Sequence, residues 1–436
     1  MALLDSNDFK LIERVVEDYS GQIDVSIKVS DEEFIARQKT VQAELKKRDL
    51  DVGIFFWHHE MPGDGIYLTG YNPTIECASG LIGQESQPIV VAGPEAGKLA
   101  MEVGATKGIS AAFAKEFAIP DEYYEAVEYA SLKKLLPEAA GKKLRRVGLL
   151  TSLDLIPVKL LETFKTAAGE GVEFVVADDI LRNLRYEKSE SEFACMAQAD
   201  KIASAAARAM LAVLKPSLRE TQIAAVGDFV MKSLGADAYG VETIVNAGAR
   251  CRTVIGPASN RIIQEGEIVQ IGCSPSYEGY KGVLRRAVVL GKQTERQRKF
   301  FDVLGAAYME AEKALKDVIE NDREAKWVDL AARNYFVKHE IDGWNMKQFH
   351  CYSSAHGTGL TECLEPMVVC PDTMEHYGRR VGIMLDVGCY GHPNDEIAGG
   401  VVENAFGKDG NKMLSWSDLP VDVTELVGRV QRCDYK

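Results

Sequence analysis

The sequence predicts two domains, an α/β domain followed by an α+β domain in which antiparallel strands are covered by helices. Three observations support this prediction. The chain has 436 residues, more than a single hydrophobic core usually organises. Up to about residue 185, short apolar runs alternate with helical segments, which is the α/β pattern. Beyond that point, long helical segments separate strand-like runs. We therefore expect domains of residues 1–185 and 186–436.

The elements of the first domain follow from the apolar runs and the turns between them. Residues 51–57 form a run of strand length that is apolar after Asp51, and a polar turn rich in Gly and Pro follows it. Strands are predicted at residues 51–57, 66–71, 88–91, 146–150 and 172–176, and helices at 32–48, 122–136 and 156–169.

The second domain begins with a clear helix start. Ser189 followed by Glu192 fits a capping box, and the Ala-rich stretch after it contains little Gly or Pro before residue 215. We expect one long helix there. Further helices are predicted from residue 221 and at 294–318 and 325–340, with strands at 243–247, 268–272, 282–290, 383–387 and 400–406.

Composition excludes several classes of partner. The net charge of −14 argues against nucleic-acid binding, which needs a cationic face. The N-terminal segment has no signal-peptide pattern, and no apolar run approaches the roughly 18 residues of a membrane span. The nine cysteines include no CxxC pair, which favours reduced thiols. We expect a cytoplasmic protein without a membrane or nucleic-acid partner.

Short motifs in the second half resemble a known family. Gly279-Tyr280, a His-Gly-Thr-Gly-Leu turn at 356–360, Glu365-Pro366 and a Val-Glu-Asn run at 402–404 occur in the order found in the pita-bread family of creatinase, aminopeptidase P and prolidase, which is M24-like. The resemblance implies a creatinase/prolidase-like N-terminal domain and a C-terminal pita-bread domain with a curved antiparallel sheet. It also implies a homodimer in which the N-terminal domain contributes to the partner's pocket.

The resemblance also shows what the chain has lost. The family's metallopeptidases hold two metal ions with five side chains, whose places fall on Gly272, Val283, His356, Asp386 and Glu403. Two of these carry no ligand atom, so we expect no metal and no cofactor. A single ion held by His356, Asp386 and Glu403 stays open as an alternative.

Two family histidines are also replaced. The position of creatinase's catalytic base holds Ile255, and the peptidases' further substrate-binding His falls near Cys363 or Leu364. By these motifs the chain is expected to be neither a metallopeptidase nor a close relative of creatinase.

The remaining polar residues are the site candidates. His356, flanked by Gly, can exchange a proton near neutral pH, and Glu403, Tyr280 and Lys281 are the other expected catalytic groups. Each of them also has a purely structural interpretation. Cys273 is expected to be a packing residue.

The substrate-binding candidates surround these groups. Arg285 and Arg286 are neighbours on a strand, so one of them should face the pocket. An aromatic segment near residue 57 suits an aromatic or quaternary-ammonium substrate. The expected substrate-binding residues are Trp57, His58, Tyr277, Arg285, Arg286, Asp386 and Tyr352.

These residues lead to three functional hypotheses. The first is a metal-independent lyase that uses acid–base chemistry on a small organic molecule, aromatic ones included, and cleaves a C–C or C–heteroatom bond. The second is a creatinase-like hydrolase of a C–N bond. The third is a non-catalytic pita-bread protein that binds peptides.

Overall fold

The structure is a computed structural model that describes residues 2–120 and 122–429. It divides into two compact units, Val29–Arg185 and Met1–Lys28 with Tyr186–Lys436. The first helix, α1 (Ser6–Ser20), thus belongs to the C-terminal unit, whereas the sequence assigned it to the N-terminal domain. Its buried side includes Ile12 and Val15, and α1 packs on the long helix that opens the C-terminal unit.

The N-terminal domain is built on one mixed sheet of six strands, in the order β4-β3-β2-β1-β5-β6. Its helices are α2 (Asp31–Lys47), α3 (Gly63–Thr69), α4 (Gly97–Ala105), α5 (Leu132–Ala140), α6 (Val158–Ala168) and α7 (Asp179–Tyr186), and its strands are β1 (Val52–Trp57), β2 (Ala78–Gly83), β3 (Ile89–Ala92), β4 (Ser110–Phe113), β5 (Arg146–Leu149) and β6 (Glu173–Val176). Strand β1 pairs antiparallel with β2 and parallel with β5. The predicted α/β class is confirmed.

Three local predictions in this domain were wrong. Residues 66–71 were predicted as a strand but lie mostly in helix α3, which ends at Gly70 with a left-handed φ of 69°. Every residue of α3 is buried, and a fully buried short helix has the same apolar pattern as a buried strand. The helix predicted at 122–136 starts only at Leu132. Strands β2 and β4 were not predicted, and β2 contains two glycines that interrupt its apolar pattern.

Besides α1, four α-helices belong to the described part of the C-terminal domain: α8 (Glu190–Val213), α9 (Glu220–Ser233), α10 (Glu295–Glu320) and α11 (Lys326–Phe336). The capping box of Ser189 and Glu192 at the start of α8 is confirmed. The alanines of α8 allow close approach of the sheet: a Cβ on Gly282 would lie 2.4 Å from the backbone of Ala199.

The strands of this domain form one large sheet and two small ones. They are β7 (Ala238–Tyr239), β8 (Ile244–Ala247), β9 (Ile268–Cys273), β10 (Pro275–Tyr277), β11 (Tyr280–Lys281), β12 (Leu284–Val289), β13 (Glu340–Ile341), β14 (Trp344–Asn345), β15 (Ala355–Thr358), β16 (Glu365–Val369), β17 (Arg380–Tyr390), β18 (Gly399–Asp409) and β19 (Lys412–Ser415). The large sheet is antiparallel in the order β16-β15-β17-β18-β12-β9-β8, with β19 added beside β18. The expected antiparallel sheet with helices, the pita-bread architecture, is confirmed.

The two faces of the large sheet differ in chemistry. Ile383, Leu385 and Val387 alternate along β17 and join the apolar core formed with α10 and α11. Because neighbouring residues of a strand face opposite sides, Asp386 projects from the other face, which we call the inner face. The fold therefore places the polar residues of β17 on the side away from α10 and α11.

Of the helices in the described ranges, none combines the length and apolar character needed to cross a bilayer.

Candidate functional site

Strand pairing places four residues in one row on the inner face. Gly272 of β9 pairs with Arg285 of β12, Arg285 pairs with Glu403 of β18, and Glu403 pairs with Asp386 of β17. Directly paired residues of an antiparallel sheet project from the same face. Beyond Asp386 the row reaches Ser354, whose carbonyl accepts from the Asp386 amide at 2.9 Å. His356 lies two residues along and so faces the same side.

The Arg285 guanidinium lies between the two acids of this row. Its Nη1 is 3.6 Å from Glu403 Oε2 and 3.7 Å from Asp386 Oδ2. Its Nη2 donates to the Tyr390 hydroxyl at 2.8 Å and to the Val254 carbonyl. Burial alone lowers the pKa of Arg285, but the negative charge of its neighbours outweighs burial and raises that pKa. Arg285 is therefore a fixed cation at the centre of the row.

Gly272 provides the room for this arginine. A Cβ placed on Gly272 would lie 3.0 Å from Arg285 Cγ and 3.2 Å from Ile244 Cβ, closer than most side-chain contacts. A carboxylate at position 272 would compete with the arginine stem for the same space. A side chain at position 272 and the arginine at position 285 therefore exclude each other in this arrangement.

Glu403 is deeply buried, with 1% of its surface exposed. Burial raises its pKa well above the usual value; the charge of Asp386 raises it further, and Arg285 opposes this. Its Oε2 atom accepts no hydrogen bond from any described residue, and the same holds for the shielded Oε2 atom of Glu362. Within the described part of the chain, two carboxylate oxygens near the row are thus left without hydrogen-bond donors.

These two glutamates meet His356. One ligand atom from each of His356, Glu362 and Glu403 lies within 4.8 Å of the others. His356 Nδ1 contacts the Gly357 carbonyl at 3.0 Å. One imidazole and two carboxylates are a ligand set suited to a divalent transition-metal ion.

Asp386 accepts a hydrogen bond from a neighbouring side chain. Its Oδ1 accepts from the Tyr352 hydroxyl at 2.7 Å, and the Tyr352 and Tyr390 rings lie 5.9 Å apart. A Cβ on Gly388 would lie 2.6 Å from the Tyr352 hydroxyl, so a glycine is needed there. The structure thus places Tyr352 beside Asp386, within the site that the sequence assigned to both.

Two residues of the site were missed in the sequence. Tyr390 could have been found, because residues 386, 388 and 390 alternate onto one face of a strand. Glu362 follows the turn after His356 in a segment without regular structure, and no pattern in the sequence indicated where its side chain would point.

Three expected site residues have structural partners instead. The Tyr280 hydroxyl donates to Glu192 Oε1 at 2.9 Å, at the start of α8. Lys281 Nζ donates to Ser276 Oγ at 2.9 Å, and burial lowers the pKa of Lys281 to about 8. The Tyr277 hydroxyl donates to two carbonyls of the N-terminal segment, at residues 24 and 27. These contacts stabilise the β10–β11 hairpin and its neighbours, contrary to the catalytic and substrate-binding roles expected.

Arg286 projects from the opposite face to Arg285. It is fully buried and donates to the carbonyls of Glu403, Leu419 and Pro420 and to Asn404 Oδ1. With its donors used within the protein, Arg286 holds the chain around β18 in place, and the expected substrate contact is not available to it.

Trp57 is a core residue of the N-terminal domain. It is 0% exposed, stacks on Phe55, and its Nε1 donates to the Tyr71 carbonyl at 3.1 Å. A buried indole cannot extend into another subunit's pocket, so this expectation is wrong for Trp57. His58 is half-buried, and its Nδ1 accepts from the Glu60 amide at 3.3 Å.

A small depression adjoins the row. Its walls include Val241, Ile244, Val283 and Ile255, and Arg285 and Glu362 contribute its polar side. Cys273 also lines it, but its sulfur contacts Met210 Sδ at 3.3 Å and burial raises the pKa of the thiol. Cys273 therefore acts as a packing residue.

The two-metal centre implied by the resemblance does not fit these residues. Gly272 and Val283 offer no ligand atom, and the Arg285 guanidinium lies within 3.7 Å of both Asp386 and Glu403. Two metal ions a few ångströms apart would lie beside this buried cation and be repelled by it.

Comparisons with known proteins identify the relatives of this chain. Residues 194–401 match the model of metallopeptidase family M24. The Xaa-Pro dipeptidase of Pyrococcus horikoshii is 27% identical over 246 residues, which are 56% of this chain and 62% of that protein. The Xaa-Pro dipeptidase of Pyrococcus furiosus is 28% identical over 247 residues, 55% of this chain and 68% of that protein. The chain thus spans a little under two thirds of the first relative's length and a little over two thirds of the second's.

Solved structures share the fold across both domains. The Xaa-Pro dipeptidase from Bacillus anthracis superposes with a TM-score of 0.70 at 16% identity, covering 91% of this chain and 99% of that one. The X-Pro aminopeptidase from Thermotoga maritima gives a TM-score of 0.72 at 18% identity, with coverage of 89% and 99%.

These findings overturn the functional expectations. The relatives are named peptidases, so a metal-independent lyase that is no metallopeptidase was the wrong prediction, and a creatinase-like hydrolase has no better support. The missing acids at positions 272 and 283 pointed away from a peptidase, whereas the relatives as a whole point towards one. Residues 194–401 of this chain thus match metallopeptidase family M24, and the chain has the pita-bread fold seen in prolidases and in an X-Pro aminopeptidase.

Proposed function

We propose that this chain hydrolyses an amide bond in short peptides, with Xaa-Pro dipeptides as the first class of substrate. The observation that carries the proposal is the convergence of His356, Glu362 and Glu403 within 4.8 Å on the inner face of the large sheet. The names of the relatives, Xaa-Pro dipeptidase and prolidase, support the substrate class.

The depression beside the row suits a small apolar residue. Val241 and Ile255 keep exposed apolar surface there while Ile244 and Val283 are buried, and a proline ring would contact the exposed part without needing a hydrogen-bond partner. Ile255 stands at the rim and is 53% exposed. Large side chains would have to displace this rim, so we expect a preference for small or cyclic apolar residues.

The carboxylates beside the wall suit a cation. The Oε2 atoms of Glu362 and Glu403 accept no hydrogen bond from the described residues, so each is available to a cationic group. Arg285 is held between Asp386 and Glu403 and fixes the orientation of both. In this proposal Arg285 is a positioning residue and His356, Glu362 and Glu403 act on the substrate and water.

The proposal is tested with the full-length chain and a panel of dipeptides. Met-Pro, Leu-Pro and Ala-Pro would be compared with Ala-Leu and Gly-Phe, each with EDTA or with added Mn²⁺, Zn²⁺ or Mg²⁺, and released amino acids measured by chromatography. We expect release from Xaa-Pro peptides and, for Glu403→Gln, a loss in kcat of at least about 100-fold.

The matched control is Glu375→Gln, an exposed glutamate of the same domain, which should retain full activity. Folded wild-type protein that releases nothing from any dipeptide under any of these conditions would exclude a dipeptidase activity.

The assembly and location of the protein are part of this proposal. We propose a cytoplasmic homodimer, as the family resemblance implied. Sedimentation of the purified chain at micromolar concentration distinguishes a dimer from a monomer.

A further inference from the structure

We propose that the inner face of the large sheet carries a site for one divalent transition-metal ion, held by His356, Glu362 and Glu403, in which the Arg285 guanidinium occupies the place of a second cation. This inference deepens the proposed peptidase and rests on the same site. It differs from the metal set implied by the resemblance, because Glu362 replaces Asp386 as a ligand and the ion is single.

The first support is geometric. The three ligand atoms lie within 4.8 Å of one another. Three atoms that lie within this distance of one another are all within about 2.8 Å of a common centre, so each moves inward by at most about 0.7 Å to reach a ligand distance of about 2.1 Å. Side-chain rotation of Glu362, which lies outside regular structure, can supply that movement.

The second support is the state of the carboxylates. Glu403 is 1% exposed, its Oε2 accepts no hydrogen bond from the described part of the chain, and its ion pair with Arg285 is long, at 3.6 Å. A buried acceptor without a donor is costly. Glu362 Oε2 is shielded and, among the described residues, lacks a donor as well. A metal ion would satisfy both oxygens at once.

The third support is the occupation of Asp386. The resemblance would make this residue a ligand, but its Oδ1 accepts from Tyr352 and its Oδ2 faces Arg285. To bind metal, Asp386 would have to release the tyrosine and turn from the guanidinium. Glu362 needs no such exchange, which favours it as the third ligand.

The fourth support is charge. Glu362, Glu403 and Asp386 bring three negative charges when ionised, and Arg285 brings one positive charge. Two negative charges remain, which one divalent ion neutralises. A second divalent ion would leave the buried site with excess positive charge beside an arginine that cannot lose its proton.

The experiment counts ions and identifies ligands, independently of activity. The full-length chain, stripped with EDTA and desalted, is titrated with Zn²⁺ and with Mn²⁺ by calorimetry, and bound metal is measured by mass spectrometry. We expect one ion per chain. Loss of a ligand should weaken binding far more than loss of a neighbour, so we expect at least about 100-fold for Glu362→Gln, less than about 10-fold for Asp386→Asn and no change for Glu375→Gln.

Electron paramagnetic resonance of the Mn²⁺-loaded wild type provides a measurement that needs no variant. It should show an isolated Mn²⁺ ion with one coupled imidazole nitrogen. Two ions per chain, a spin-coupled pair, no binding at about 100 µM metal, or a larger effect of Asp386→Asn than of Glu362→Gln would each overturn the inference. Stoichiometric binding without dipeptide hydrolysis would leave the site standing and remove the proposed function instead.

Discussion

Gly272 and Arg285 face each other across β9 and β12, and the absence of a side chain on the glycine is what admits the arginine. The guanidinium that passes over Gly272 reaches Asp386 and Glu403 on the next two strands. The cation that orients the two acids of the site is therefore a side chain of the protein itself.

Gly272→Ala should reveal this coupling as a non-additive effect on stability. The added Cβ would lie 3.0 Å from Arg285 Cγ, so we expect a loss of about 1–3 kcal/mol in the free energy of unfolding. In an Arg285→Ala background the same change should cost less, because only the contact with Ile244 remains. Urea unfolding of the four proteins measures the cycle.

Gly21→Ala is the control for backbone effects, since a Cβ added to Gly21 would meet no described atom within 4 Å. Equal costs of Gly272→Ala in both backgrounds would show that the two residues are independent.

Removal of the Arg285 charge should destabilise the fold strongly at neutral pH. Arg285→Met leaves Asp386 and Glu403 as buried acids without a cation, which we expect to cost about 3–5 kcal/mol. Arg296→Met is the matched control, because Arg296 pairs with Asp342 and Glu396 at the surface and should cost about 1 kcal/mol or less. Thermal unfolding of both variants at pH 7 makes the comparison, and equal costs would contradict a central role for Arg285.

His350 should make the fold sensitive to mild acid. It is buried and contacts the Gly388 carbonyl and Ser354 Oγ, and burial lowers its pKa below the usual value of 6.5. The unfolded chain then binds the proton more readily, so stability is complete above about pH 6.5 and falls as the pH drops below it, by up to about 1.4 kcal/mol per pH unit.

His350→Gln should be less stable than wild type at pH 7 but lose less stability between pH 7 and pH 5. The exposed His376→Asn variant should keep the wild-type slope. Parallel slopes for wild type and His350→Gln would assign the acid sensitivity to other groups.

We expect Trp57 to contribute to the stability of the fold and not to substrate binding. Trp57→Ala removes a fully buried indole, and we expect a loss of about 3–5 kcal/mol. Trp344→Ala, at a site 45% exposed, should cost about 1 kcal/mol or less. Calorimetry separates the two, and a normal stability for Trp57→Ala combined with a raised KM for a dipeptide would return Trp57 to a substrate role.

The features that the sequence predicted correctly are those that depend on periodic or local patterns. Alternation along β12 predicts that Arg285 and Arg286 face opposite sides, and the structure has them so. The capping box of Ser189 and Glu192 likewise depends on local spacing and is confirmed.

The remaining errors concern contacts set by tertiary structure. Tyr280 and Lys281 lie close in sequence to Arg285, yet their side chains bond to α8 and to the hairpin itself. The direction of Glu362 depends on the course of an irregular segment, which no periodicity encodes. Trp57 was predicted to bind substrate because it lies in an aromatic segment, whereas its ring packs against Gly65 and is buried.

The position of helix α1 in the fold affects how the protein can be truncated. Residues 29–185 lie between the two segments of the C-terminal unit, so in topological terms they are an insertion. A fragment that begins at Tyr186 would lack α1 and the carbonyls that receive the Tyr277 hydroxyl, and would leave part of α8 uncovered. N-terminal truncation or tagging therefore acts on the domain that carries the candidate site.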